Sequence, residues 1–133
     1  MNLLKKLRSK EDQEDKHKGM DPSEMPEPDD FSDYMRRGWA YHSQGQQEQA
    51  ERDFQNALKL DPESVDANYV LGLVLKAQGR NEDAIEYFNK SLNLIKAGKI
   101  DNTSRSEMLR RLSLGHINEL KKGDWDLHTE VWR

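Results

Sequence analysis

Cysteine is absent from the 133 residues, which excludes disulfide staples, thiolate zinc sites and a cysteine nucleophile. No run of about 18 apolar residues occurs, so no membrane-spanning helix is predicted. The opening MNLLKKLRSK is basic but has no apolar stretch of the length a secretory signal needs. The expected address is therefore cytoplasmic. A large excess of one charge is missing as well. Lysine and arginine number 21 against 25 acids, a formal charge of −4, which is too small and of the wrong sign for a protein that grips phosphates. Nucleic acid is not an expected partner. Apolar residues are scarce, 34% against 35% charged, a lean supply for a single globular core of this length. Chemical motifs are missing too. There is no Gly-rich phosphate loop, G-x-S-x-G or H-E-x-x-H. Among the four histidines, His17, His42, His116 and His128, the pair singled out is Asp124 with His128, four apart on an expected helix. Two ligands do not make a metal site. Asn89-Lys90-Ser91 and Asn102-Thr103-Ser104 fit a glycosylation sequon, but without a secretion signal they read as coincidence. The expectation is a chain with no catalytic residues, metal or cofactor.

Proline is concentrated rather than spread, with Pro22, Pro26 and Pro28 making three of the four. They close a stretch, residues 1–29, whose only apolar side chains besides the prolines are Met1, Leu3, Leu4, Leu7, Met20 and Met25. Its mixed-sign middle buries too little to offset the entropy of ordering, so residues 1–29 read as a disordered charged tail. Residues 1–10 differ. Leu3, Leu4 and Leu7 recur at helical spacing among Lys5, Lys6, Arg8 and Lys10, with no acid before Glu11. This stretch is either a frayed terminus or a short basic amphipathic helix for a partner, for its own chain or, less favoured, for a membrane.

From Asp30 onward the sequence repeats. Gly38 pairs with Gly72, Tyr41 with Leu75, Gly45 with Gly79, Ala50 with Ala84, Phe54 with Phe88, Ala57 with Ser91, Leu58 with Leu92 and Leu60 with Leu94, each 34 residues apart. The spacings within one unit are helical. Tyr34, Arg37, Gly38 and Tyr41 share a face on which glycine permits close approach of a second helix. Gly45 and Gly79 end the first helices, with Asn81 available to cap the helix beyond Gly79. Ala50, Phe54, Ala57 and Leu58 form the stripe of the second helix, which Pro62 terminates.

Those residues resemble the tetratricopeptide repeat family, carried by Gly38, Tyr41, Ala50, Phe54, Ala57 and Pro62, and again by Leu71, Gly72, Ala84, Ile85 and Phe88. The departures are Tyr34 and Asn68 where Trp is common, Arg37 for the Leu before Gly38, and Lys96 where the second Pro would stand. Asn68 predicts that Tyr69 or Val70 does part of the packing. Residues 103–133 read as a degenerate capping repeat. Leu114-Gly115 echoes Leu71-Gly72, a stripe runs through Leu109, Leu112, Ile117 and Leu120, Gly123 makes the turn, and Asp124 caps a last helix with Trp125, Leu127, Val131 and Trp132. Gly115 and Gly123 are eight apart instead of seven, so the register shifts by one. The resemblance implies an all-α helix-turn-helix solenoid of about three repeats and six helices, with repeats at 31–64, 65–98 and 103–133.

It also implies a non-catalytic scaffold whose first helices line a concave groove. Met35, Trp39 and His42, with their counterparts Tyr69, Leu73 and Lys76, form a second stripe, exposed to a partner on one reading and widening the inter-repeat core on the other. Arg105, Arg110 and Arg111 add either a basic wall or a solvated face beside Glu107. The carboxylate clamp of co-chaperone relatives is not expected, because Met35, Trp39 and Val70 stand where that clamp needs a basic residue and two asparagines. The groove thus suits an amphipathic helix or extended segment with apolar anchors. The expected function is protein–protein interaction as an adaptor or assembly factor, binding through Met35, Trp39, His42, Tyr69, Leu73, Lys76 and Arg110. The alternatives are a self-associating module that stacks through Trp125 and Trp132, and autoinhibition with Leu3, Leu4 and Leu7 in the groove of their own chain.

Overall fold

The computed structural model describes residues 20–123. After a single 3-10 turn, Pro22–Glu24, come α1 (Phe31–Ser43), α2 (Gln47–Leu60), α3 (Val65–Ala77), α4 (Asn81–Lys96) and α5 (Thr103–Lys122), with no strand among the described residues. Each helix packs chiefly on its neighbours in sequence, which is the construction of a helical-hairpin solenoid. The last helix expected from sequence, with Asp124, Trp125, Leu127, His128, Val131 and Trp132, lies outside the described residues, as do Leu3, Leu4 and Leu7.

The period is visible atom by atom. The first helices of the hairpins are capped by a side-chain oxygen at their N-termini: Asp30 accepts from Asp33 N–H at 2.9 Å, Ser64 from Ala67 N–H at 3.0 Å and Asn102 from Arg105 N–H at 2.8 Å. The second helices have no such cap, starting instead from Gln46 and Arg80 in nearly the same backbone conformation. Asn81, expected as a cap, is the first residue inside α4. Between the helices of each hairpin stand Gly45 and Gly79 at φ 77° and 76°. There Gln46 N–H donates to Tyr41 C=O and Arg80 N–H to Leu75 C=O, both at 2.9 Å, an arrangement open to glycine at little strain.

Helix contact within each hairpin depends on the other glycine pair. A Cβ placed on Gly38 would come within 2.6 Å of the Phe54 ring, and one on Gly72 within 2.7 Å of Phe88. Both rings are completely buried, and Ala50, Ala57 and Ala84 beside them are fully buried too. Small residues on one helix and a large ring on the next thus form a repeated lock.

The departures from the repeat pattern each have a physical account. Arg37 sits where the second repeat has buried Leu71, and it holds Asp53, 2% exposed, through Nε and Nη2, both at 2.8 Å. Asp53 in turn stands where the second repeat has Tyr87, so a fork of two charge-assisted bonds replaces an apolar pair at the first hairpin. Asn68 is buried, but its amide donates to Ser64 C=O at 2.8 Å and Pro62 C=O at 3.4 Å, tying the inter-repeat turn while neighbouring Tyr69 and Val70 join the core. Ser91, in place of Ala57, donates to Val65 C=O at 2.6 Å. With Lys96 instead of proline, α4 runs to 16 residues against 14 for α2, and Gly98 at φ 75° ends it.

Residues 20–29 lie against α1. Asp21 caps the 3-10 turn, Pro22 is buried, and Glu27 comes within 3.5 Å of Arg37. At the other end, α5 is 20 residues long and stops at Gly123, φ 83°. Seven residues before that glycine, where Gly38 and Gly72 precede Gly45 and Gly79, stands His116. Its imidazole stacks on Phe88, centroids 4.9 Å apart and planes 8° from parallel. Leu109 and Ile117 enter the core, with Leu112 and Leu120 packed beside them.

Candidate functional site

The first helices of the hairpins, α1, α3 and α5, bound a groove of about 400 Å³. Phe31, Ser32, Met35 and Trp39 line it from α1, Asp66, Tyr69 and Val70 from α3, and Arg105, Met108, Leu109 and Leu112 from α5. The spacing of four between Met35 and Trp39, and between Met108 and Leu112, places successive side chains on one helix face. Three large apolar residues among those described are exposed, Trp39 at 43%, Met108 at 51% and Leu60 at 56%. Two of them line this groove. The Trp39 indole is held from below by edge contacts to Phe54 at 6.1 Å and His42 at 5.7 Å.

Of the residues picked out by sequence, Met35, Trp39 and Tyr69 are brought together here. His42, Leu73, Lys76 and Arg110 do not line the groove. His42 Nδ1 is 2.7 Å from Gln47 Oε1 across the turn to α2, and Leu73 packs against the core. Lys76 Nζ donates to Glu119 at 2.8 Å and to His116 Nδ1 at 3.0 Å, while Arg110 is held by Glu107 on its own helix. Tyr69 is a floor residue, 9% exposed, whose burial raises its phenol pKa. Ser32 and Asp66 are themselves 34 residues apart, so following the period from Met35 back one turn would have found them. Met108 carries no such signal, because α5 has slipped from the register.

The arginines of α5 are matched by acids. Arg105 pairs with Asp66 across the groove rim, and Arg110 and Arg111 both pair with Glu107, which makes this a solvated charged face in place of a basic wall. Burial, and then the Lys76 ammonium, push the His116 pKa down to about 4, with Glu119 opposing. The imidazole is therefore neutral at pH 7. Since Lys76 can only donate, Nδ1 accepts and Nε2–H donates to the Tyr69 hydroxyl, 3.2 Å away. Among the described residues, no group of three or more His, Cys, Asp or Glu is placed to hold a metal, and no helix is long and apolar enough to cross a membrane.

Residues 35–99 match the tetratricopeptide repeat family. Over that stretch the chain is a tetratricopeptide-repeat protein. Among curated proteins, none matches it. The match spans most of α1 to just past α4, the part in which the two glycine–phenylalanine locks occur. Tetratricopeptide repeats generally mediate protein–protein interaction and are typically non-catalytic.

Proposed function

We propose that this chain is a non-catalytic adaptor that holds an apolar helical or extended segment of another protein in the groove between α1, α3 and α5. The observation that carries the reading is the exposure of Trp39 and Met108 on one groove whose floor is Tyr69, Val70 and Leu109. Exposed large apolar side chains gathered in one concavity mark a contact surface, and Trp is among the side chains most often found to dominate binding energy. Positions 35, 39 and 70 hold Met, Trp and Val, and Arg105 at the groove is already paired with Asp66. The groove therefore favours apolar anchors over a terminal carboxylate. Nucleic acid is not a partner on this reading. Peptides selected from a random library against the wild-type chain test it. They should lose at least about tenfold in affinity, the equivalent of about 1.4 kcal/mol, on Trp39→Ala or Met108→Asp and keep it on Leu60→Asp. Equal loss for all three variants, or for none, would remove the groove from the account.

A further inference from the structure

The groove has a candidate occupant within the same chain. Building on the groove as the binding face, we infer that residues 1–10 dock in it as a short basic amphipathic helix, a cis pseudo-ligand that an incoming partner segment must displace. Three observations support this. The first is chemical fit. Leu3, Leu4 and Leu7 lie at spacings of one, three and four in a segment with no other large apolar side chain except Met1, the pattern of a helix that offers a few anchors to a groove.

The second is charge. Residues 1–10 carry Lys5, Lys6, Arg8 and Lys10 and no acid, whereas residues 20–123 hold 18 acidic against 14 basic side chains. Asp29 and Asp30 flank the start of α1, where Phe31 and Ser32 open the groove, beside Asp33, which pairs with Arg36. Complementary charge of this kind draws the segment toward the groove end and orients it there.

The third is where the chain leaves the described structure. Residues 25–29 pack on α1 at the face of Asp33, Arg36 and Arg37, next to the face of Phe31, Met35 and Trp39 that lines the groove, so residues 1–19 continue from a segment attached to a groove helix. Nine residues, the length of 11–19, can span roughly 15–18 Å as a random coil and about 30 Å when extended. Helix α1 is only about 20 Å long, at about 1.5 Å per residue. The tether can therefore deliver the leucines along the groove, and its shortness keeps their local concentration high. An isolated helix of ten residues is marginal in water, so the segment gains its structure on docking and is readily displaced by a longer partner helix.

The lack of cysteine makes the test clean. A spin label on Asn2→Cys of the full chain is read by the 13C-methyl signals of Met35 and Met108 in the groove. Docking predicts that both lose most of their intensity while the label is paramagnetic and regain it on reduction. The loss should disappear when Leu3, Leu4 and Leu7 are all changed to Asp. Sharp methyls in the labelled chain, or broadening that survives the triple substitution, would overturn the proposal. Broadening that appears only when spin-labelled and isotope-labelled chains are mixed would overturn it in favour of a second copy as occupant. A synthetic peptide of residues 1–10, added to the triple variant, separates this inference from the groove reading. If the cis effect is missing but the peptide shifts Met35 and Met108, self-docking fails and the groove stands. If neither that peptide nor the library-selected peptides move the two methyls, both fall.

Discussion

Gly72→Ala isolates the contact on which each hairpin rests. The new Cβ would lie 2.7 Å from Phe88 Cε1 and within 2.9 Å of two further ring atoms, about 1 Å inside ordinary van der Waals contact. Phe88 cannot swing away. It is completely buried and wedged between Tyr69, at 5.7 Å centroid distance, and the stacked His116. Two terms oppose each other. Alanine in place of a mid-helix glycine contributes about 0.8–1 kcal/mol, and overpacking a dense core costs about 1–3 kcal/mol. The net expectation is destabilisation by up to about 2 kcal/mol, read as a lower urea midpoint with unchanged slope. The companion substitution sharpens this. Phe88→Leu shortens the ring side chain and opens the space that the Cβ needs, so in that background Gly72→Ala should become neutral or stabilising by up to about 1 kcal/mol. A double-mutant cycle with no coupling, or Gly72→Ala stabilising in the wild-type background, would refute the lock.

Three further outcomes are expected. Arg37→Leu leaves the Asp53 carboxylate buried without its fork and should cost about 3–5 kcal/mol, whereas Arg37→Leu with Asp53→Leu should recover most of it; thermal melts of both variants check this, and a loss below about 1 kcal/mol for the single change would contradict it. His116, held near pKa 4 when folded and about 6.5 when unfolded, binds its proton more readily in the unfolded chain, so stability should fall as pH drops from about 6.5 to 4. Discounted for partial solvent exposure, the fall between pH 7 and 5 is about 1 kcal/mol in urea titrations and should shrink in His116→Gln; an equal fall in that variant would assign it elsewhere. The Ser113 hydroxyl is buried and has no hydrogen-bond partner among the described residues, so Ser113→Ala should be neutral or raise the melting temperature, and a clear decrease would reveal a partner for it.

The parts legible in the sequence were those set by period and by steric necessity. Gly38, Gly72, Phe54 and Phe88 announced the hairpins because a missing side chain and a large ring must recur together at 34 residues. The turn glycines followed from the need for positive φ. What could not be read were pairings that cross between elements. Nothing in the spacing of Arg37 and Asp53 shows that they meet across a hairpin, and Arg37 reads in sequence as a lapse from the repeat pattern. The groove was half visible for the same reason. Met35, Trp39 and Tyr69 follow the period, but Lys76 is turned aside by Glu119 and His116, residues 43 and 40 positions further along. Met108 entered the groove because α5 departs from the register that made the first two repeats readable. Gly98, which ends α4 in place of the missing proline, likewise carries no periodic counterpart.

The central claim is that partners are held in the groove of α1, α3 and α5. Trp39 reports on it directly once Trp125→Phe and Trp132→Phe leave it as the sole tryptophan. At 43% exposure it should be open to iodide quenching in the triple-leucine-to-Asp chain, which offers the groove no leucine anchors of its own. Saturation with a library-selected peptide should then shield Trp39 from iodide and shift its emission to the blue. A peptide that binds the same protein by calorimetry while leaving the quenching of Trp39 unchanged would place the binding surface elsewhere.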